Sequence, residues 1–378
     1  MRTGVRAGVC AGTSAGARVG SHAGVRAGGG AVTGAAGEGL VRLGRSGLTV
    51  GRVGLGTAPL GGLFTPVSDA EAAETLTAAW DAGVRFFDTA PHYGLGVAER
   101  RLGAFLADRP RDEVVVSTKV GRLLRPGYSP PGTEGFHGVP RDLTRVWDFS
   151  ADGVRASLTE SLERSGLDAF DLVLLHDPDD HGEQALAEAY PALAELRAQG
   201  VVRAIGAGMN QTAMLTRLVA ETDLDVVLVA GRYSLLDRSA ADELLPACAA
   251  RGVGVVVGGV FNSGLLATPR AGATFDYAPA SEPLVRRARE LAGHCAAFGV
   301  PLAAAAVRFP LRHPAVGGVL LGARNGREIT ENVAHAAAEI PDELWRLLDS
   351  PPDEHEGRSE RGERGGRGRA PAPDGSGA

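Results

Sequence analysis

The chain lacks the features that would place it in several common classes. It has three cysteines in 378 residues, Cys10, Cys248 and Cys295, set far apart. That spacing excludes a disulfide scaffold and a CxxC redox pair, gives no metal-ligating pattern, and points to a reducing, cytoplasmic setting. No apolar run approaches the ~18 residues that cross a bilayer, so no membrane partner is expected. The charge balance is small, 39 basic against 45 acidic residues, for a net of −6. Nothing in it offers the electrostatic footprint that a nucleic-acid partner needs.

Large side chains are scarce at both ends. Residues 1–39 are small residues punctuated by Arg2, Arg6, Arg18 and Arg26, and the first acid is Glu38. Such a stretch cannot offset the entropy of ordering its backbone. It is expected to be a disordered tail or an over-extended start, with an arginine-rich transit peptide as the weaker alternative. Residues 350–378, rich in Pro, Gly, Arg and Glu, read as a second disordered tail.

What is present lies between, over residues 40–349. Eight short runs of mostly β-branched residues occur at 53–57, 84–88, 114–119, 171–176, 201–206, 225–229, 253–257 and 318–321. Segments of helical period separate them. In 69–82, Ala72, Leu76, Ala79 and Trp80 share a face, and Ser68 with Glu71 forms a capping box. In 184–199, Leu186, Ala189, Tyr190, Leu193 and Leu196 do the same. Eight alternations predict a (β/α)₈ barrel of the TIM type rather than a doubly wound sheet. Residues 41–50 read as a hairpin turning at Arg45–Gly47, placed to plug the barrel floor. Segment 122–149 reads as a long loop without periodicity, on the catalytic face because it follows the third strand.

Barrel enzymes carry their chemistry at the C-terminal ends of the strands. Those ends hold Asp88, Lys119 and His176, with Tyr93 in the loop after Asp88. A phenol beside an ammonium partner and a hydrogen-bond donor can move a proton at a carbonyl or alcohol oxygen in either direction. The ammonium is expected to lower the phenol's pKa. Hydride has to come from a cofactor, because no side chain carries it.

The segment FFDTAPHYGLGVAERRLGAFL (86–106) resembles the signature of the aldo-keto reductase family. STKVG (117–121), DLVLLHDPD (171–179) and LLGARNGREITENV (320–333) fall where that family has its other motifs. The resemblance spans about residues 48–348. It implies a (β/α)₈ barrel with NAD or NADP stretched across its C-terminal face. It also implies Tyr93 as general acid/base, Lys119 and Asp88 as the pair that tunes it, and His176 as the donor orienting substrate. His92 matches nothing catalytic in the family and is read as a residue edging the site.

The cofactor contacts implied by the resemblance are Thr57, Asp88, Asn210, Tyr233, Phe261, Ser263, Leu265, Gly322, Arg324, Glu328, Glu331 and Asn332. Four positions depart from the family pattern. Gly208 and Met209 replace a Ser-Asn pair, Ala230 replaces a Gln, and Gly258 replaces an aromatic that stacks on the nicotinamide. With AGRYSLLD (230–237) and GGVFNSGLL (258–266), these departures resemble the aldose 1-dehydrogenase branch, which takes in sugar and pyridoxal dehydrogenases. That branch implies oxidation of a cyclic hemiacetal to a lactone and a small-molecule substrate; the polar groups near the mouth, Asp177, Asp179, Asp180 and Arg232, are candidates to bind its sugar hydroxyls. Glu328 leans the cofactor toward NAD, since a carboxylate suits a free ribose hydroxyl better than a phosphate. The alternatives are a broad NADPH-dependent carbonyl reductase and a cofactor-binding regulatory subunit of the same fold.

Overall fold

A computed structural model describes residues 39–350. The two expected tails fall outside the described residues, apart from Gly39 and Ser350. Eight parallel strands close into a barrel: β1 (Val53–Gly56), β2 (Phe86–Asp88), β3 (Val115–Val120), β4 (Leu172–His176), β5 (Ala204–Met209), β6 (Val226–Ala230), β7 (Gly254–Gly258) and β8 (Val316–Gly322). Each pairs with the next, and β8 returns to β1. The helices are α1 (Asp69–Asp81), α2 (Val97–Leu106), α3 (Ala151–Ser165), α4 (Tyr190–Ala198), α5 (Thr212–Glu221), α6 (Leu244–Arg251), α7 (Glu282–Ala297), α8 (Leu302–Leu311), α9 (Gly326–Ala336) and α10 (Asp342–Asp349). The capping box predicted at the start of α1 is present, with Ser68 and Glu71 satisfying each other's backbone N–H groups.

Strand alternation sorts the side chains into two cores. Phe86, Val115, Leu172, Leu174, Ala204, Val226, Leu228, Val256 and Leu320 fill the barrel interior. Their neighbours Phe87, Val116, Val173, Leu175, Ile205, Val227, Val255, Val257 and Val319 face the helices. Burial on both faces explains why the strands read as continuous β-branched runs.

The 41–50 hairpin forms as expected, with Val41 opposite Val50. Its Leu43, Leu48 and Val50 are fully buried and join the inner core, so it closes the floor. Two expectations need correction, and a third is borne out with added detail. The fifth strand runs from Ala204 to Met209, three residues later than 201–206, because Val201 and Val202 lie in the turn after Gly200. The 184–199 segment is one helical stretch with a π turn at Ala185–Ala189 leading into α4. Segment 122–149 is no bare loop. Arg122–Pro126 and Leu143–Trp147 pair as an antiparallel hairpin that stands on the end of β3.

Candidate active site

The same alternation fixes what faces the barrel mouth. Counting on along each strand in steps of two, the topmost inward layer is Gly56, Asp88, Lys119, His176, Gly208, Ala230, Gly258 and Gly322. Three neighbouring strands, β2 to β4, supply all its ionisable groups. The other five supply only glycine or alanine. Packing does not demand these small residues throughout. A Cβ on Gly56 would come no nearer than 3.9 Å to another atom, and one on Gly208 or Gly258 would make ordinary contacts at 3.4–3.6 Å. The missing side chains leave half the layer open to a flat ring.

On the charged half, Lys119 is the hub, and it is the only lysine in the sequence. Its Nζ donates to Asp88 Oδ2 at 2.6 Å, to Tyr93 Oη at 2.9 Å and to the Thr89 carbonyl at 3.1 Å. Ser117 Oγ donates to the other Asp88 oxygen at 2.7 Å. Asp88 and Lys119 are each 2% exposed. A buried pair of this kind holds only if its remaining hydrogen-bonding capacity is filled, as it is here. The Tyr93 loop is locked by close backbone approach. Gly94 has φ +64, and a Cβ there would lie 2.3 Å from the Gly61 carbonyl oxygen.

Burial pushes the Tyr93 phenol well above its ordinary pKa, and the Asp88 carboxylate adds to the rise. The net shift is therefore upward rather than downward, although the Lys119 ammonium still favours the phenolate against that rise. Asp88 offsets the ammonium charge, and desolvation of the phenolate decides the direction. Burial, with Arg122 and Lys119 nearby, holds His176 well below its ordinary range, so it is neutral. Its ring lies edge-on to Tyr93 with centroids 5.9 Å apart, and its buried Nδ1 has no hydrogen-bond partner.

The hairpin after β3 adds residues that the sequence reading missed. Arg122 pairs with Asp177 and lies 3.1 Å from His92 Nδ1. Arg145 donates to the His92 carbonyl at 3.0 Å, and Phe136 packs edge-on to His92 and stacks on Tyr93. Arg122 directly follows the STKVG segment, and that placement past a strand end was the available signal. Tyr277, from the hairpin Thr274–Phe275/Ala278–Pro279, was also missed. It stacks on Phe64 with ring centroids 6.0 Å apart, and its backbone N–H donates to Ser263 Oγ at 3.1 Å.

The expected cofactor residues are placed unevenly. Thr57 is buried after β1, and its hydroxyl donates to the Asp88 carbonyl at 2.9 Å. Asn210 follows β5. Phe261 and Ser263 lie in the loop after β7, where Gly259, Asn262, Ser263 and Gly264 all have positive φ and the buried Asn262 Oδ1 has no partner. Gly322, Arg324, Glu328, Glu331 and Asn332 cluster at the end of β8 and the start of α9, with Asn332 Nδ2 3.4 Å from the Gly322 carbonyl. Two side chains stand apart from the mouth. Tyr233 is buried in the outer core against Phe309 and His313. Leu265 is wholly buried in a separate cluster with Ala273, Val285 and Ala288, so only its backbone is available. The open half-layer, the orphaned Asn262 oxygen and the β8–α9 cluster fit an extended nicotinamide dinucleotide.

Comparison with known proteins agrees with this geometry. The aldo/keto reductase family model matches residues 52–351. The chain is 51% identical to D-threo-aldose 1-dehydrogenase of a Pseudomonas species, over 80% of this chain and 94% of that protein. It is 44% identical to pyridoxal 4-dehydrogenase of Microbacterium luteolum, over 82% and 96%. The holo form of an aldo-keto reductase of Bacillus halodurans superposes with a TM-score of 0.66 at 24% identity, covering 82% of this chain and 95% of that one, a likeness of fold. The chain belongs to the aldo/keto reductase family, and it is an oxidoreductase that uses a nicotinamide cofactor.

Proposed function

We propose that the protein oxidises the anomeric carbon of an aldose or similar cyclic hemiacetal to the lactone, with NAD as the preferred cofactor. The observation that carries this reading is the buried chain Asp88–Lys119–Tyr93 beside a neutral His176, facing the open half of the mouth. The relatives named for aldose and pyridoxal oxidation support it.

The nicotinamide, when bound, takes or gives the hydride. The protein handles the proton. In oxidation the Tyr93 phenolate accepts the anomeric hydroxyl proton; in reduction the phenol returns it. Lys119 holds a donor 2.9 Å from that oxygen and so favours the phenolate whenever it forms. Asp88 keeps Lys119 in place. Neutral His176 donates a hydrogen bond to the reacting oxygen, and the substrate's ring oxygen stabilises the developing carbonyl.

Two ion pairs support NAD over NADP. Arg324 Nη2 bonds Glu328 Oε1 at 2.5 Å, and Arg327 Nε bonds Glu331 Oε1 at 2.6 Å. Each arginine at the adenosine end thus already has a carboxylate, and a ribose phosphate would compete with it. The two described cysteines, Cys248 and Cys295, are free and buried, in keeping with a cytoplasmic setting.

The test is an assay of purified protein with NAD and with NADP against a panel of aldoses and hydroxyl-free aldehydes. The expected result is reduced cofactor formed together with a lactone, at higher kcat/KM with NAD. Turnover confined to NADPH-driven reduction of simple carbonyls would establish the reductase alternative instead.

A further inference from the structure

We propose that the Arg122–Asp177 pair beside His176 receives the ring hydroxyls of the substrate and sets the preference for sugars over hydroxyl-free carbonyl compounds. This rests on the aldose reading above and names the residues that would enforce it.

Asp177 directly follows His176 at the end of β4. Its backbone is left-handed, φ +42, and its N–H donates to the Gly208 carbonyl at 3.0 Å, which ties it to β5. Positive φ is uncommon outside glycine, though aspartate tolerates it better than most, and such conformations concentrate at ligand-binding positions. Its Oδ2 lies 3.6 Å from His176 Nε2. The carboxylate therefore stands next to the imidazole that addresses the reacting oxygen, where the hydroxyl on the neighbouring ring carbon would fall.

Arg122 completes the pair. Its side chain is 9% exposed, its guanidinium lies 4.0 Å from the Trp147 ring centroid, and its Nε has no hydrogen-bond partner. Asp177 is more open, at 27%. A carboxylate has about four lone-pair sites, and Arg122 takes up those of Asp177 only in part. One side chain can accept from hydroxyl protons and the other can donate to hydroxyl oxygens, which is the complement of a vicinal diol. The other expected sugar ligands are less well placed. Asp179 and Asp180 are exposed, and Arg232 is engaged by Asp276 at 2.5 Å.

A site that hydrogen-bonds a hydroxyl through charged partners discriminates against the analogue lacking it, by about ten- to a hundred-fold per hydroxyl. The experiment compares kcat/KM for an aldose and for its analogue without the hydroxyl next to the anomeric carbon, in wild type, Asp177→Asn and Arg122→Lys. Nicotinamide fluorescence and melting curves check cofactor binding and folding. Wild type should favour the aldose by about tenfold or more, and both variants should bring the ratio to about threefold or less. If Asp177→Asn does not fold, Arg122→Lys, which keeps the cation but loses the planar fork, carries the test. Equal losses on both substrates, leaving the ratio unchanged, would overturn the proposal while the aldose reading stands. If wild type oxidises no aldose, that reading fails and takes this one with it.

Discussion

The floor and the mouth of the barrel solve the same backbone problem differently. At the floor, the left-handed positions among the described residues are glycines: Gly44, Gly47, Gly83, Gly166, Gly200 and Gly252. At the mouth the same conformation is also taken by Phe64, Leu95, Glu134, Asp177, Asn262, Ser263, Asp276 and Tyr277. Each such residue costs roughly 1–3 kcal/mol. Polar groups divide less sharply. The floor is plugged by fully buried Leu43, Leu48 and Val50. The mouth buries Thr89, Arg122, His176 and Asn262, each with a polar atom lacking a hydrogen-bond partner. Arg85 Nε, just before β2 at the floor, also lacks a partner, but left-handed non-glycine backbone gathers at the mouth, as expected where side chains serve a ligand rather than the fold.

The contrast can be broken hardest at Lys119. Lys119→Met leaves the buried Asp88 carboxylate unpaired, which costs about 3–5 kcal/mol of stability. It also strips the phenolate of its donor, so oxidation should begin at a higher pH than in wild type. Calorimetry and a pH–rate profile check both effects. An unchanged profile would remove Lys119 from the proton's path.

Leu43→Ala tests the other end. It opens a cavity in the floor plug and should cost about 2–5 kcal/mol. At temperatures where the variant is folded, kcat/KM should match wild type. A matching loss of activity would mean that the floor and the mouth are coupled.

The wild-type pH dependence is a finer probe. Tyr93 is raised above its ordinary pKa, so the phenol dominates at neutral pH and the phenolate is scarce. Oxidation should therefore climb with pH into the alkaline range, while reduction is sustained at neutral pH and falls as the phenol ionises. Because the chain has a single lysine, nitrogen-labelled lysine gives one side-chain resonance, from Lys119. It should shift over the same pH range as the rate. The smallest effect is expected at the adenosine end. Glu328→Arg should move the NADP to NAD ratio of kcat/KM toward NADP by about tenfold, as one phosphate–arginine contact would.

How much of this was legible in the sequence follows the same division. The strands could be read because burial on both faces made them apolar runs, and the floor hairpin because its turn and leucines obey local rules. The fifth strand slipped because Ala204–Met209 is built from small residues. Gly206 has no room for a Cβ, which would lie 1.9 Å from the Val226 carbonyl oxygen. Asp88, Lys119 and His176 were visible as ionisable residues ending apolar strands. Arg122 and Arg145 were not, because in a Pro/Gly-rich segment arginines read as solvated, and only the 122–126/143–147 pairing buries them. The direction of the Tyr93 shift was missed for a related reason. The sequence reading paired Lys119 with Asp88, but it does not show the phenol's full enclosure, and desolvation decides the direction.

The claim that the mouth carries the chemistry rests on one hydroxyl, and Tyr93→Phe tests it directly. The measurement is the single-turnover rate of hydride transfer from an aldose to NAD, with cofactor affinity determined on the same samples by nicotinamide fluorescence. The variant should bind the cofactor as wild type does and transfer hydride about 10²–10⁴-fold more slowly, the usual contribution of a general acid/base. A loss of less than about tenfold, with folding and cofactor binding intact, would contradict the account, because the proton would then be carried by a group other than Tyr93.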